Sequence, residues 1–131
     1  MANEARANPA VMLNILGTDH TLKYSMHSVS QLKKLCGVNL IGADSVDLTD
    51  PDIIIGLVWA GLIASHKQYR GKFVNGEPDE TIQRIIEAIG FEMTGSKVQE
   101  CASAVREALL NSFGDSVQEA QPGPEASGKN A

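Results

Sequence analysis

Asp50-Pro-Asp-Ile-Ile-Ile-Gly-Leu-Val-Trp-Ala-Gly-Leu-Ile-Ala-Ser65 decides the fold. Asp50 can accept the free amide protons of a first helical turn, and Pro51, with fixed φ and no N–H, fits the first helical position. From Ile53 to Ala64 every residue is apolar or glycine, so a helix here has no wet face and must be covered by other helices or by a partner chain. The run is too short for a membrane span, which needs roughly 20 apolar residues. Gly56 and Gly61 each cost a helix about 1 kcal/mol against alanine, which points to close packing of a neighbour at both, with Trp59 beside one of them. Ile53, Leu57, Trp59, Gly61 and Leu62 are the core or partner-contact candidates.

The segments around this helix are read from period and turn chemistry. Val11 to Leu16 and Thr21 to Tyr24 are predicted strands flanking Gly17-Thr-Asp-His20, giving a β-hairpin. Two strands are marginal in water, so the hairpin must lean on helices or pair an edge with another subunit. Met26, Val29, Leu32, Leu35 and Cys36 recur at helical spacing, with Ser25 or Ser28 as cap and Gly37 as stop. Ile82, Ile85, Ile86 and Ile89 mark a third helix that starts at Asp79 and Glu80 and ends at Gly90. Ser96-Lys-Val-Gln99 matches a capping box, and Val98, Cys101, Ala102, Val105 and Leu109 form the stripe of a last helix ending near Phe113-Gly114. The expected fold is α+β and predominantly helical: a flexible stretch over 1–10, one domain over 11–114 with an N-terminal hairpin and about four helices, and a Ser/Gln/Pro/Gly-rich tail over 115–131 that is expected to be disordered.

The chain has 131 residues, enough for one core without disulfides or metals, and 16 acidic against 11 basic residues give a formal charge of −5. That balance argues against nucleic-acid binding, which needs accumulated Lys and Arg. Cys36 and Cys101 form no Cys-x-x-Cys pair, and the amino terminus lacks a signal-peptide pattern, so a reduced, cytoplasmic setting is expected. Asp44, Asp47, Asp50 and Asp52 lack the calcium-loop pattern and are read as caps and solvated residues. No phosphate-binding loop, nucleophile elbow or His-Glu-x-x-His pair occurs, and His20, His27 and His66 are expected at the surface. No cofactor, metal or catalytic site is expected. Lys67, Tyr69, Arg70 and Lys72 sit in a polar, glycine-marked loop that either meets an acidic partner or lets its charges favour the carboxyl end of the preceding helix.

Leu22-Lys-Tyr-Ser-Met26, Leu32-Lys-Lys-Leu-Cys-Gly37, Val38-Asn-Leu40 and Asp50-Pro-Asp followed by Leu57-Val-Trp-Ala-Gly-Leu62 occur in an order that resembles the tail assembly chaperones of long-tailed bacteriophages. The resemblance covers roughly Val11 to Ile63. It implies a non-enzymatic protein of the host cytoplasm that binds the tape measure protein, keeps it soluble, helps recruit tail tube subunits and is absent from the finished tail. In that family a ribosomal slip near the end of the gene often appends a domain that engages the tube subunits, and Gly128-Lys129 is a dipeptide that a slippery run would encode. Self-association is also expected, from the apolar central helix and the hairpin edges. Two other classes are open: a structural head or tail connector, and a helix-turn-helix regulator, disfavoured because Asp79 to Gly90 contains one basic residue, Arg84.

Overall fold

The computed structural model describes residues 10–40, 45–114 and 118–119. In chain order these form β1 (Val11–Ile15), β2 (Thr18–Leu22), α1 (Met26–Cys36), β3 (Ser45–Val46), α2 (Pro51–Ile63), a 3-10 turn (Lys67–Tyr69), β4 (Phe73–Val74), β5 (Glu77–Pro78), α3 (Glu80–Phe91), α4 (Gly95–Phe113) and β6 (Gln118–Glu119). The fold is α+β, with a short N-terminal hairpin and four helices. Helix α2 is the centre and packs against α1, α3, α4, β2 and the 3-10 turn.

Local chemistry explains where the helices begin. Asp50 caps α2 by accepting from the Asp52 amide at 3.0 Å, with Pro51 in the first turn. Every residue from Gly56 to Ile63 is buried within the single chain. The apolar helix therefore needs no second chain to cover it, and that reason for self-association falls away. Helix α1 starts in a reciprocal box, in which the Ser28 amide donates to Ser25 Oγ and the Ser25 amide donates to Ser28 Oγ. Gly37 closes it in the left-handed region at φ 76°. Asp79 caps α3 through the Ile82 amide at 3.1 Å, and Ile82 and Ile89 are buried with Ile85 and Ile86 packed at the margin.

Four local expectations are corrected. The hairpin turn is Leu16-Gly17, with positive φ at both residues (56° and 88°), and β2 begins at Thr18, so Asp19 and His20 belong to the strand. Such a primed two-residue turn matches the twist of paired strands but strains a side chain as large as leucine. A distant clamp offsets the strain: the Leu16 amide donates to the Glu92 carboxylate at 2.7 Å. Helix α3 runs past Gly90 to Phe91 and ends at Glu92. Thr94, and not Ser96, is the N-cap of α4, and its side chain makes no capping bond, so the expected box at Ser96 lies inside the first turn. Residues 66–78 are more than a loop: after the 3-10 turn, β4 and β5 pair across Asn75-Gly76, both at positive φ.

Asp47 accepts from the Thr49 amide at 2.9 Å and from its hydroxyl at 2.5 Å, which holds its carboxyl below the usual range and assigns it to turn formation. Asp44, most of the tail over 115–131 and the stretch over 1–9 lie outside the described residues. Within the tail, Gln118–Glu119 pairs in parallel with Ser45–Val46.

Candidate functional site

The candidates on α2 divide by burial. Leu57, Trp59, Gly61 and Leu62 are buried, and Ile53 is half-buried at the helix start, so this set forms core and offers little to a partner. Gly56 faces Leu32 and Cys36 of α1, and Gly61 faces Leu22 and Tyr24. Trp59 is not among the nearest neighbours of either glycine. Its indole Nε1 donates to the Tyr69 carbonyl at 3.1 Å, and its ring meets Phe73 edge-on at 6.3 Å.

The basic and aromatic loop is divided in the same way. Arg70 donates from Nε to the Ile63 carbonyl at 2.6 Å and from Nη2 to the Ala64 carbonyl at 3.2 Å. These are carbonyls that a helix end leaves without partners, so Arg70 caps α2 and complements its dipole. Tyr69 bonds inward, its hydroxyl 2.8 Å from His20 Nε2. Lys67, Arg70 and Lys72 are exposed, but the Arg70 guanidinium is engaged by the helix-end carbonyls, and the Lys72 backbone is tied to Asp79 through both its amide and its carbonyl.

The histidines depart from expectation. His20 is buried on the inner side of β2, opposite Leu13, with Nδ1 3.0 Å from the Thr18 carbonyl. A carbonyl only accepts, so Nδ1 carries a proton, and in the neutral ring Nε2 presents its lone pair to the Tyr69 hydroxyl. His66 packs edge-on against His20, with ring centroids 4.9 Å apart, and its Nε2 is buried without a hydrogen-bond partner. His27 alone is exposed, as expected for all three. The alternation Leu13, Ile15, His20, Leu22 would have placed His20 inside had the turn been read as two residues.

Among the described residues, one accessible surface feature is a groove between β1 and α4. One part, about 540 Å³, is lined by residues including Val11, Leu22, Tyr24, Ala108 and Ser112; an adjoining part, about 400 Å³, includes Leu13, Glu100, Ala104 and Glu107. Met12, in the wall of the second part, is 53% exposed, and Leu110, on the same face of α4 as Ser103 and Glu107, is 54% exposed. In a two-residue hairpin the residues flanking the turn form a hydrogen-bonded pair, so Ile15 and Leu13 point their amides at β2 while Met12 and Asn14 point theirs outward. Lys97 Nζ donates to the Asn14 carbonyl and blunts that end of the edge. The sequence reading missed this surface, although Met12 stands at an outward position of the strand alternation.

No chemistry of a reactive thiol arises. Burial, with the Asp52 and Asp50 carboxylates adding, pushes Cys36 up to about 11, and burial pushes Cys101 to about 11, with Lys97 opposing and Glu100 and Glu92 adding. Burial likewise raises Tyr24, whose hydroxyl donates to the Leu57 carbonyl at 2.5 Å. All three hold their protons more tightly folded than unfolded, so the folded state binds more protons above the ordinary thiol value of 9.0. Stability is therefore expected to fall as pH rises from about 9 through about 11. Urea unfolding at a series of alkaline pH values checks this, and a midpoint that stays flat across the window contradicts it. Among the described residues no group of three or more His, Cys, Asp or Glu is placed to hold a metal ion, and no helix is long and apolar enough to cross a membrane.

No protein-family model matches the chain, and no curated protein or solved structure matches it.

Proposed function

We propose that this chain is a tail assembly chaperone of a long-tailed bacteriophage, acting in the host cytoplasm to bind the tape measure protein and keep it soluble until the tail tube is built around it. One observation supports the reading: the residues that carry the resemblance to that family coincide with the joints of this fold. Leu22 and Tyr24 seat the hairpin on α2, Leu32 and Gly37 bury and end α1, Leu40 is buried, Asp50 and Pro51 start α2, and Trp59, Gly61 and Leu62 are its buried centre. The groove between β1 and α4 supplies a surface for the work. Exposed Met12 and Leu110 can cover apolar stripes of a helical client that would otherwise aggregate, and Glu100 and Glu107 at the groove suit a client with basic flanks. Self-association belongs to the proposal through the open Met12 edge of the hairpin. Recruitment of tail tube subunits is assigned to a longer, frameshifted product.

Co-expression with the neighbouring tape measure protein tests this. The client is expected in the soluble fraction and in a pull-down with the wild-type chain, and to be lost with Met12→Lys combined with Leu110→Lys, two exposed changes that leave the core intact. Light scattering of the purified chain is expected to show concentration-dependent oligomers. A client equally soluble without this chain sinks the reading. Retention of the chain in purified particles would instead favour a structural head or tail connector.

A further inference from the structure

We propose that His20, His66 and Tyr69 form a binding site for one borderline divalent transition metal, with Zn2+ or Co2+ as the simplest occupants. The inference is independent of the chaperone reading. Three aromatic rings form a triangle, with centroids 4.9 Å apart for His20 and His66, 5.4 Å for His20 and Tyr69, and 5.9 Å for His66 and Tyr69. Imidazole nitrogens prefer this class of cation, whereas calcium and magnesium prefer oxygen.

The protonation pattern of His20 is the one that metal ligation requires. Its Nδ1–H donates to the Thr18 carbonyl at 3.0 Å, which fixes the ring and leaves the Nε2 lone pair facing the Tyr69 hydroxyl at 2.8 Å. Ligating histidines almost always donate their other N–H to a carbonyl or carboxylate in this way. His66 supplies the second, independent observation, a buried Nε2 with no hydrogen-bond partner in the same cluster. A buried polar atom left unpaired costs free energy, and a metal bond would remove that cost. Between His20 and Tyr69 the geometry needs little change. A tetrahedral ion with ligands at about 2.0–2.1 Å holds its donors roughly 3.3 Å apart, so the 2.8 Å between His20 Nε2 and the Tyr69 oxygen must widen by about half an ångström. Tyr69 and His66 are only half-buried, so an ion has a path in and solvent water can complete the coordination.

Binding replaces the hydrogen bond between Tyr69 and His20 by two metal bonds. The Tyr69 oxygen gives its proton to solvent, and both imidazoles bind through neutral nitrogens. One proton is released per ion, and affinity falls as the solution is acidified. Lys67 and Arg70 adjoin the proposed ligands in sequence; Arg70 is fixed on the carbonyls of Ile63 and Ala64, Lys67 is exposed to solvent screening, and the phenolate charge offsets their repulsion of the metal.

Calorimetric titration of the full chain with Zn2+ tests the proposal, with Co2+ as an optical probe. A single saturable site is expected, with one ion per chain, proton release that scales with buffer ionisation enthalpy, and visible bands of tetrahedral Co2+. Tyr69→Phe removes only the hydroxyl and His66→Ala removes a half-buried ring, so both should fold. Each is expected to weaken Zn2+ by at least about tenfold, while His27→Ala, at an exposed site, leaves affinity unchanged. Absence of saturable binding overturns the proposal. So does Zn2+ affinity that survives His66→Ala and Tyr69→Phe, or that is lost in His27→Ala.

Discussion

Trp59→Ala is expected to unfold the protein or bring it close to the threshold, with a loss of about 3 to 5 kcal/mol. The side chain is fully buried on the central helix, which packs against five other elements, and its removal leaves a cavity in that core. It also takes away the donor for the Tyr69 carbonyl, and with it one of the ties between α2 and the segment that caps it. The second tie, from Arg70 to the Ile63 and Ala64 carbonyls, would then rest on a loosened loop. Trp59→Phe keeps most of the volume and loses only the indole bond, so it should cost much less, about 1 kcal/mol for the hydrogen bond plus a packing remainder. Chemical denaturation of the two variants separates these contributions. Near-wild-type stability in Trp59→Ala, together with lost client binding, would show that the ring acts at a surface and would contradict its placement in the core.

The helical frame was legible because its signals are local. Asp50-Pro51, Ser25 with Ser28, and Asp79 with the isoleucine stripe each carry both a start signal and an apolar face, and the structure uses all of them. The turns were less legible because their signals compete. Asn75-Gly76 is a strong primed-turn dipeptide, but it joins strands of two residues, too short to show an alternation. Leu16-Gly17 offers leucine where a small or polar residue is expected, and what holds it there is Glu92, which sits 76 positions further along the chain. Once that turn is misplaced by a few residues, His20 drops out of the strand and appears as a surface histidine. The cluster with His66 and Tyr69 was hidden for the same reason: its members come together only through the packing of β2 on the segment after α2. The role of Arg70 was half legible, since positive charge near a helix end is a local rule but the bidentate contact is not.

Gly61→Ala is the second substitution with a large expected effect, because the hairpin rests directly on this residue. A Cβ there would lie 2.6 Å from Leu22 Cδ1 and 2.8 Å from Leu22 Cγ, closer than packed side chains approach, and 3.0 Å from Tyr24 Cζ, tighter than most such contacts. In an isolated helix the same change would stabilise by about 1 kcal/mol, so a destabilised variant can only reflect the tertiary clash. Neither neighbour yields easily: Leu22 is buried, and Tyr24 is pinned by its hydroxyl on the Leu57 carbonyl and its amide on Ser112 Oγ. The hairpin is anchored here a third time, since the Lys23 amide donates to the Gly61 carbonyl at 3.0 Å. Overpacking of this kind costs about 1–3 kcal/mol, and the forced separation puts that bond at risk as well. Leu22→Ala alone should also destabilise, by the cavity it leaves. Combined with Gly61→Ala, however, the alanine methyl enters the vacated space, and the double variant is expected to be more stable than the sum of the two single losses predicts. A strictly additive cycle in denaturant unfolding would mean that Gly61 does not meet Leu22 in solution, and the seating of the hairpin on α2 would have to be redrawn.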